Sequence, residues 1–407
     1  MVDVQVRDLK DGLIFLRREL EKISKHRKAK FTNCIVELVG DFLSISRQWE
    51  SQSRMVLVPV NALEAERWSG RLYVKYDHLN TAVKSLSACG TASLRVLGAG
   101  HEKPANTGTE PETKGNGSCE FRLKQGGVGV NVEAEAKLVE DGQQYFEWQD
   151  KMPEMVEMQE IEDWRTAARL MRYAYSTDNA RPNLRYARIR TEVEGEVQMA
   201  ATDGHRLAVA EWAEWDFPWE EDEICVMGEE CGLIDRYLDE ELSLGIEVEH
   251  DEKPWALWIQ MGPDGRYFSR SELGRGASAR FPDFQQTMPK SYRGKCTFSV
   301  KELYKTSSTM RKVMETIELK GSPGGSTVQV DGAAKKGAVA MKGELKVLDA
   351  VDGKLHLGLG PDYVRDIAMS FEKSGEVRFE WVDGLTPTRW TKVGDTDFFV
   401  ILMPLRI

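Results

Sequence analysis

Residues 201–209 read Ala201-Thr202-Asp203-Gly204-His205-Arg206-Leu207-Ala208-Val209, and this stretch decides how the rest of the chain is read. Asp203-Gly204 is a dipeptide suited to the positive backbone angles of a two-residue type I′ turn. Val197 and Met199 alternate with polar neighbours before it, and Leu207 and Val209 do so after it, so the spacing predicts a β-hairpin. A hairpin alone would not need the rest of the string. Thr202, Asp203, His205 and Arg206 put a hydroxyl, a carboxylate, an imidazole and a guanidinium at one strand end, which points to a function as well as a turn.

Working outward, one order of elements recurs three times. A helix is predicted over 7–24, with Leu9, Leu13, Leu16, Leu20 and Ile23 on one stripe, then a second over 77–88 and a strand at 92–97. The order returns with a helix over 160–176 carrying Ile161, Trp164, Ala168, Met171 and Tyr175. A shorter helix near 230–240 and a strand at 244–248 follow. It returns again with a helix over 299–315 carrying Leu303, Met310, Val313 and Met314, a helix over 361–372 and a strand at 376–381. The intervening segments are short, alternating and bounded by turns, as strands are. A helix with a single apolar stripe lies on one side of a sheet with its polar face outward. The expected class is therefore α+β, with three similar domains of helices packed on antiparallel sheets, at 1–153, 154–294 and 295–407. Trp148–Pro153 and Met288–Gly294 read as the linkers, and the Gly/Thr/Glu/Pro-rich stretch 98–118 as an inserted loop.

Composition narrows the function classes. A chain of 407 residues is long enough for several cores, and 41% hydrophobic with 30% charged residues describes a globular protein. The polar start, Met1-Val2-Asp3-Val4-Gln5-Val6-Arg7-Asp8, does not resemble a signal peptide, and no apolar run is long enough to cross a membrane. The six scattered cysteines form no C-x-x-C pair and read as reduced thiols of a cytosolic protein. A net charge of −11 argues against adhesion to nucleic acid over the whole surface, while leaving room for a locally basic face. Such faces are present on the leading helices. Arg165, Arg169 and Arg172 fall at i, i+4 and i+7 opposite Trp164, Ala168 and Met171. Lys301, Lys305 and Lys312 make a looser row in the third repeat. The first offers Lys10, Arg17 and Lys22, then a loop containing Lys25, Arg27 and Lys28. One such row is an ordinary solvated helix face; three on equivalent helices suit sequence-independent contact with phosphates.

The string Thr202–Val209 resembles the signature of the bacterial β sliding clamps, the processivity subunits of replicative DNA polymerases. Arg280-Phe281-Pro282-Asp283-Phe284 with Met288-Pro289 looks like that family's stretch between its second and third domains. Leu357-Gly358-Leu359 with Tyr363, Val364 and Asp366 resembles the approach to its last helix. The ending Phe399-Val400-Ile401-Leu402-Met403-Pro404-Leu405-Arg406-Ile407 resembles its hydrophobic-Met-Pro-hydrophobic-Arg-hydrophobic terminus. The resemblance spans the chain and is strongest from Asp163 onward. It implies the DNA clamp fold, with two protomers forming a head-to-tail homodimeric ring of six domains around double-stranded DNA, in the bacterial cytoplasm at the nucleoid. It also implies a peptide pocket for short hydrophobic motifs of polymerases and the clamp loader. The pocket residues would be Leu184, Thr202, Gly204, His205, Arg206, Leu207, Pro282, Tyr363, Leu385, Pro387, Met403, Pro404 and Leu405. Lys25, Arg27, Lys28, Arg165, Arg169, Arg172, Lys301 and Lys305 would face DNA. No cofactor, metal or catalytic residue is implied, and ATP would be consumed by the loader. An apolar pocket floor burying a few hundred Å² would contribute roughly several kcal/mol at ~25 cal/mol/Å² before ordering costs, which suits exchangeable partners.

Departures from the family pattern bear on peptide preference: Gln286 where a basic residue is frequent, Gly360 where an amide is, Pro182 where an aromatic is, and Trp390 and the 98–118 stretch as additions. Two alternatives remain at this point. One is a protein-interaction scaffold that keeps the fold without encircling DNA. The other is a metal-dependent hydrolase using Asp203 and His205. The remaining histidines show no H-x-x-x-H or H-E-x-x-H spacing, and the Gly-rich segments 126–129 and 321–325 lack the Lys-Ser/Thr of a P-loop.

Overall fold

The computed structural model describes residues 2–17, 33–49, 51–61, 71–98, 117–136, 148, 152–191, 195–214, 223–248, 254–275, 280–333 and 340–407. They form β1 (Val2–Gln5), α1 (Val6–Phe15), β2 (Asn33–Val39), β3 (Phe42–Gln48), β4 (Gln52–Asn61), β5 (Leu72–Lys75), α2 (Tyr76–Ser85), β6 (Thr91–Gly98), β7 (Gly117–Gln125) and β8 (Val128–Ala136). Next come β9 (Val156–Glu157), α3 (Ile161–Ala174), β10 (Tyr186–Thr191), β11 (Glu196–Thr202), β12 (Arg206–Ala213), β13 (Glu223–Met227), α4 (Gly228–Tyr237), β14 (Ser243–Val248), β15 (Pro254–Met261) and β16 (Tyr267–Glu272). The last repeat holds β17 (Gly294–Ser299), α5 (Val300–Met310), β18 (Thr316–Gly321), β19 (Thr327–Ala333), β20 (Ala340–Lys346), β21 (Leu355–Leu359), α6 (Pro361–Ser370), β22 (Glu376–Trp381), β23 (Thr388–Lys392) and β24 (Phe398–Leu402). The fold is α+β with antiparallel sheets, as expected. No helix among the described residues is long and apolar enough to cross a membrane.

One strand rule holds in every repeat. The four strands after the first helix lie in the order fourth-first-second-third: β5-β2-β3-β4, β13-β10-β11-β12 and β21-β18-β19-β20. The three after the second helix run β6-β7-β8, β14-β15-β16 and β22-β23-β24, with β1 beside β6 and β17 beside β22. Third strands then meet across repeats. β4 pairs with β16, Val56 opposite Tyr267, and β12 pairs with β24, Leu402 opposite Arg206. Hydrogen-bonded sheet thus runs through each repeat boundary. For that reason the chain separates into two compact units, Met1–Met155 with Asp239–Glu272 and Val156–Leu238 with Leu273–Ile407, each holding parts of two repeats.

In the first unit, α1 buries Leu9, Leu13 and Phe15 against the sheet. Gly12 permits the close approach, since a Cβ there would stand 3.0 Å from Val56. Buried Arg54 donates to the carbonyls of Phe15 (3.2 Å) and Arg17 (2.9 Å), satisfying acceptors that the end of α1 leaves open. In the second unit, Trp164 is fully buried and donates its indole N–H to Glu214 (2.9 Å). The Glu214 carboxylate also accepts from the backbone N–H of Gln159 (3.2 Å) and lies at the N-terminal end of α3, where negative charge is favoured.

Several expectations need correction. The apolar stripes outlast the helices. α5 stops at Met310, and Val313, placed on the stripe by spacing, lies in the following turn with its side chain 46% exposed. β11 is buried along both faces from Val197 to Thr202, so its polar neighbours do not face water: Gln198 is buried between Arg188 and Glu211. The part of the first predicted helix carrying Leu20 and Ile23, and residues 99–116 of the expected loop, lie outside the described residues. Gly117 and Ser118, assigned to that loop, instead open β7.

Candidate functional site

The turn between β11 and β12 is longer than two residues. Thr202 pairs with Leu207, so four residues, 203–206, separate the paired positions of β11 and β12, although Arg206 already opens β12 by pairing with Leu402 of β24; Gly204 has φ +89, and Asp203 is not in the left-handed region. The type I′ expectation fails because side chains build this turn. Asp203 Oδ1 accepts from the backbone N–H of His205 (2.9 Å) and Arg206 (3.0 Å). Thr202 Oγ1 accepts from Gly204 N–H (3.1 Å) and donates to the Arg206 carbonyl (2.6 Å). These local bonds offer the backbone an alternative to a tight hairpin ladder.

Asp203 therefore supports the turn with one oxygen, while its Oδ2 accepts from Arg206 Nε (3.1 Å). Arg206 donates through Nη1 to Asp366 on α6 (2.8 Å), and its guanidinium lies 4.8 Å from the centroid of the Tyr363 ring. The Tyr363 ring also lies 5.9 Å from that of His205. Burial, with the Asp203 charge next, pushes the Tyr363 phenol above its ordinary pKa against the pull of Arg206. Gly360 explains the ring's position: a Cβ there would stand 2.8 Å from Tyr363 Cδ2. Among the described residues no group of three His, Cys, Asp or Glu side chains could hold a metal ion, and Asp203 is taken up by the turn and Arg206.

The apolar candidates differ in their surroundings. Leu207 is buried with Ala200, Val209, Phe284, Phe399 and Ile401, with Phe281 and Met288 packed on that cluster. Leu184, in a single 3₁₀ turn from Pro182 to Arg185, is buried, and a Cβ on Gly204 would lie 3.7 Å from its Cδ1. Met403, Pro404 and Leu405 follow β24. Met403 N–H donates to the His205 carbonyl (2.9 Å) and Leu405 N–H to the Gly358 carbonyl (2.8 Å), so the tail runs along the hairpin and β21. Met403 and Leu385 remain 41% and 65% exposed. Leu385 stands on a surface turn whose backbone is fixed by Asp383 (2.8 Å), and half-buried Pro387 precedes Thr388, which pairs with Leu402. Pro282 is half-buried between the aromatic residues Phe281 and Phe284.

Asp366 and Arg181 lie at the site although the sequence does not mark them as pocket residues. A cleft of about 470 Å³ beside the turn is lined by Asp203, His205, Arg206 and Tyr363, and also by Arg172, Tyr173, Arg181 and Asp366. Asp366 was quoted only as part of a motif, and Arg181 only borders a candidate. Its Nη1 reaches toward the Asp203 carbonyl (3.5 Å). The three-residue spacing of Arg181 from Leu184 was a usable signal; Asp366 lies 160 residues from Arg206, and no local pattern joins them.

The basic rows differ. Lys301 and Lys305 are exposed on α5. Arg169 pairs with Asp235 on α4 (2.9 Å) and with Glu372 after α6, and Arg172 pairs with the other oxygen of Asp235 (2.6 Å). Arg165 pairs with Glu162 (2.7 Å) and donates to the Leu238 carbonyl (3.2 Å). Lys10 donates to the Leu86 carbonyl (2.6 Å). Lys25, Arg27 and Lys28 lie outside the described residues.

No family profile matches the sequence, and no curated protein is matched by it. The fold does have solved neighbours. Over 100% of this chain and 99% of theirs, it superposes on a DNA polymerase sliding clamp from Bacillus subtilis with TM-score 0.71 at 14% identity. It superposes on the beta sliding clamp of C. crescentus with TM-score 0.72 at 17% identity, covering 100% of this chain and 98% of that one. For the DNA polymerase III beta subunit of Thermotoga maritima the values are 0.71 and 14%, with 100% of both chains covered. The structural neighbours are thus bacterial β sliding clamps along the whole chain.

Proposed function

From the sliding-clamp fold, we propose that this protein is a DNA sliding clamp: a head-to-tail homodimer that encircles duplex DNA and tethers a polymerase and other partners through the site beside the 203–206 turn. In this reading the chain carries three clamp domains, 1–153, 154–294 and 295–407. It acts in the bacterial cytoplasm, without a cofactor and without catalysis of its own.

One observation carries the reading. Third strands join repeats at β4–β16 and at β12–β24, while β20, the third strand of the last repeat, ends its sheet among the described residues. The remaining third strand of the other kind is β8, which meets β5 only from Leu72 to Val74. The same rule applied once more pairs β20 of one copy with β8 of a second, and applied twice it closes a ring. Closing the ring would pair the edge that β20 otherwise presents. The exposed apolar pair Leu385 and Met403 supports the partner site, since hydrophobic motifs need such anchors.

The test is solution mass by light scattering over a concentration series, followed by retention on nicked circular DNA. A stable dimer that stays on the circle and leaves when the circle is cut fits the proposal. A strict monomer at micromolar concentration overturns the encircling mechanism. The internal pairing of Arg169 and Arg172 favours one second reading, a scaffold that binds partner peptides without DNA, and a monomer that still binds them would establish it.

A further inference from the structure

We propose that Asp366 is a positioning residue of the partner site, acting through Arg206; the proposal rests on the clamp reading above. Asp366 belongs to the last repeat and Arg206 to the second, so their contact makes the site depend on how those two repeats meet.

Arg206 is held from two sides. Asp203 takes its Nε (3.1 Å) and its backbone N–H (3.0 Å), and Asp366 takes Nη1 (2.8 Å). All three side chains are less than one-fifth exposed, so the charges are only weakly screened by solvent. The second oxygen of Asp366 accepts from Arg365 (3.0 Å), which fixes the carboxylate's orientation on α6. The chain of consequences runs into the site at three points. The Arg206 carbonyl receives the Thr202 hydroxyl that closes the turn (2.6 Å). The neighbouring His205 carbonyl receives Met403 N–H (2.9 Å), which sets where the tail starts. The guanidinium plane supports the Tyr363 ring at 4.8 Å, one helical turn from Asp366 on the same helix. Asp366 need not touch a partner to matter. Without its charge, Arg206 keeps Asp203 but loses the bond that ties it to α6, and Tyr363, His205 and Met403 lose their common reference.

The experiment measures binding of a fluorescein-labelled peptide spanning the hydrophobic clamp-binding segment of a bacterial replicative polymerase. The full chain and five variants are compared. Asp366→Asn should weaken binding about tenfold, with the dissociation rate rising more than the association rate falls, as expected when one partner of a poorly screened pair is removed. Asp366→Glu, which keeps the charge, should recover to within about threefold of the wild type. Arg206→Lys loses the forked geometry; in that background Asp366→Asn should add less than about twofold, because the two residues act as one unit. Asp362→Asn is the control. It sits one turn away on α6 and pairs with Arg311, so it should leave affinity unchanged.

Wild-type affinity in Asp366→Asn overturns the proposal while leaving the clamp reading intact. An undiminished tenfold loss in the Arg206→Lys background also overturns it, since Asp366 would then act by another route. Equal losses in Asp362→Asn and Asp366→Asn would reduce the effect to the helix's overall charge and overturn it as well. If Asp366→Asn does not fold, Asp366→Glu decides: weakening of about threefold or less supports the pairing, and complete loss refutes it. Failure of the wild type to bind the peptide overturns the clamp reading itself, and this proposal with it.

Discussion

α3 and α5 lead successive repeats and carry basic rows that look alike in sequence, yet the structure treats them differently. On α3 the guanidinium groups of Arg169 and Arg172 close on one buried carboxylate, Asp235, and Arg169 also reaches Glu372. On α5, Lys301 and Lys305 stand in solvent. Spacing shows which face a side chain occupies but not whether a carboxylate from another element already meets it. Asp235 lies 66 residues from Arg169, and Glu372 lies 203. Arginine's planar fork suits the first situation, and lysine's hydrated ammonium the second. The row of α3 therefore acts first as an internal tie, and that of α5 is the better placed to meet phosphate.

Breaking the tie should have the largest effect. Asp235→Ala leaves two poorly screened guanidinium groups without their shared partner and should cost about 2–3 kcal/mol of stability, read as a lowered urea midpoint with an unchanged slope. The double reversal Lys301→Glu/Lys305→Glu should behave in the opposite way. Stability should change by less than about 0.5 kcal/mol, while the dependence of DNA binding on log salt should fall by about two units of slope. A stability loss like that of Asp235→Ala would end the distinction between the two helices. Glu372→Gln is intermediate. Its side chain is half exposed, so the stability loss should stay under about 1 kcal/mol, and with Arg169 still held by Asp235 the salt slope should rise by less than about one.

A separate pH dependence is expected behind α3. Burial pushes the thiol of Cys225 on β13 up to about 12, with Glu223 adding to the shift. Cys231 on α4 is likewise raised to about 12 by burial and then by Glu230. Both are neutral in the folded protein. Their contribution is fully present below the unfolded thiol value of about 8.5 and is lost as pH rises from there through about 12. Urea midpoints at pH 8 and pH 10.5 should show the fall, and Cys225→Ala/Cys231→Ala should flatten it. A native-state thiol reagent should meanwhile label exposed Cys89 well before Cys225 or Cys231.

Much of the fold was readable locally. Leu9 and Leu13, Trp164, Ala168 and Met171, and Leu303 and Met310 are buried as their 3.6-residue spacing requires. Boundaries were less readable, as Val313 shows, because an apolar residue in the turn after a helix continues the same period. The turn at 203–206 departs from its Asp-Gly pattern because that dipeptide states a propensity, whereas the Asp203 carboxylate and Thr202 hydroxyl impose a geometry. Trp390, an addition relative to the family pattern, is fully buried and packs 4.3 Å from Phe379, so that departure belongs to the core. Gln286 bonds Asp283 on the surface (2.7 Å). The pairings of β4 with β16 and β12 with β24 were out of reach, since each joins strands roughly 200 residues apart through backbone groups that every residue possesses.

That last feature bears on how the chain could be dissected. Where repeats are strung on flexible linkers, a protease or an expression boundary can free one without injury. Here a cut at a repeat border would strip a strand of its neighbour and bare a full row of amide and carbonyl groups. Severing the last repeat would expose β12 from Arg206 to Ala210 together with the apolar surface of Leu207 and Val209. Such an edge templates further strands. A single repeat produced alone should therefore be recovered as aggregate.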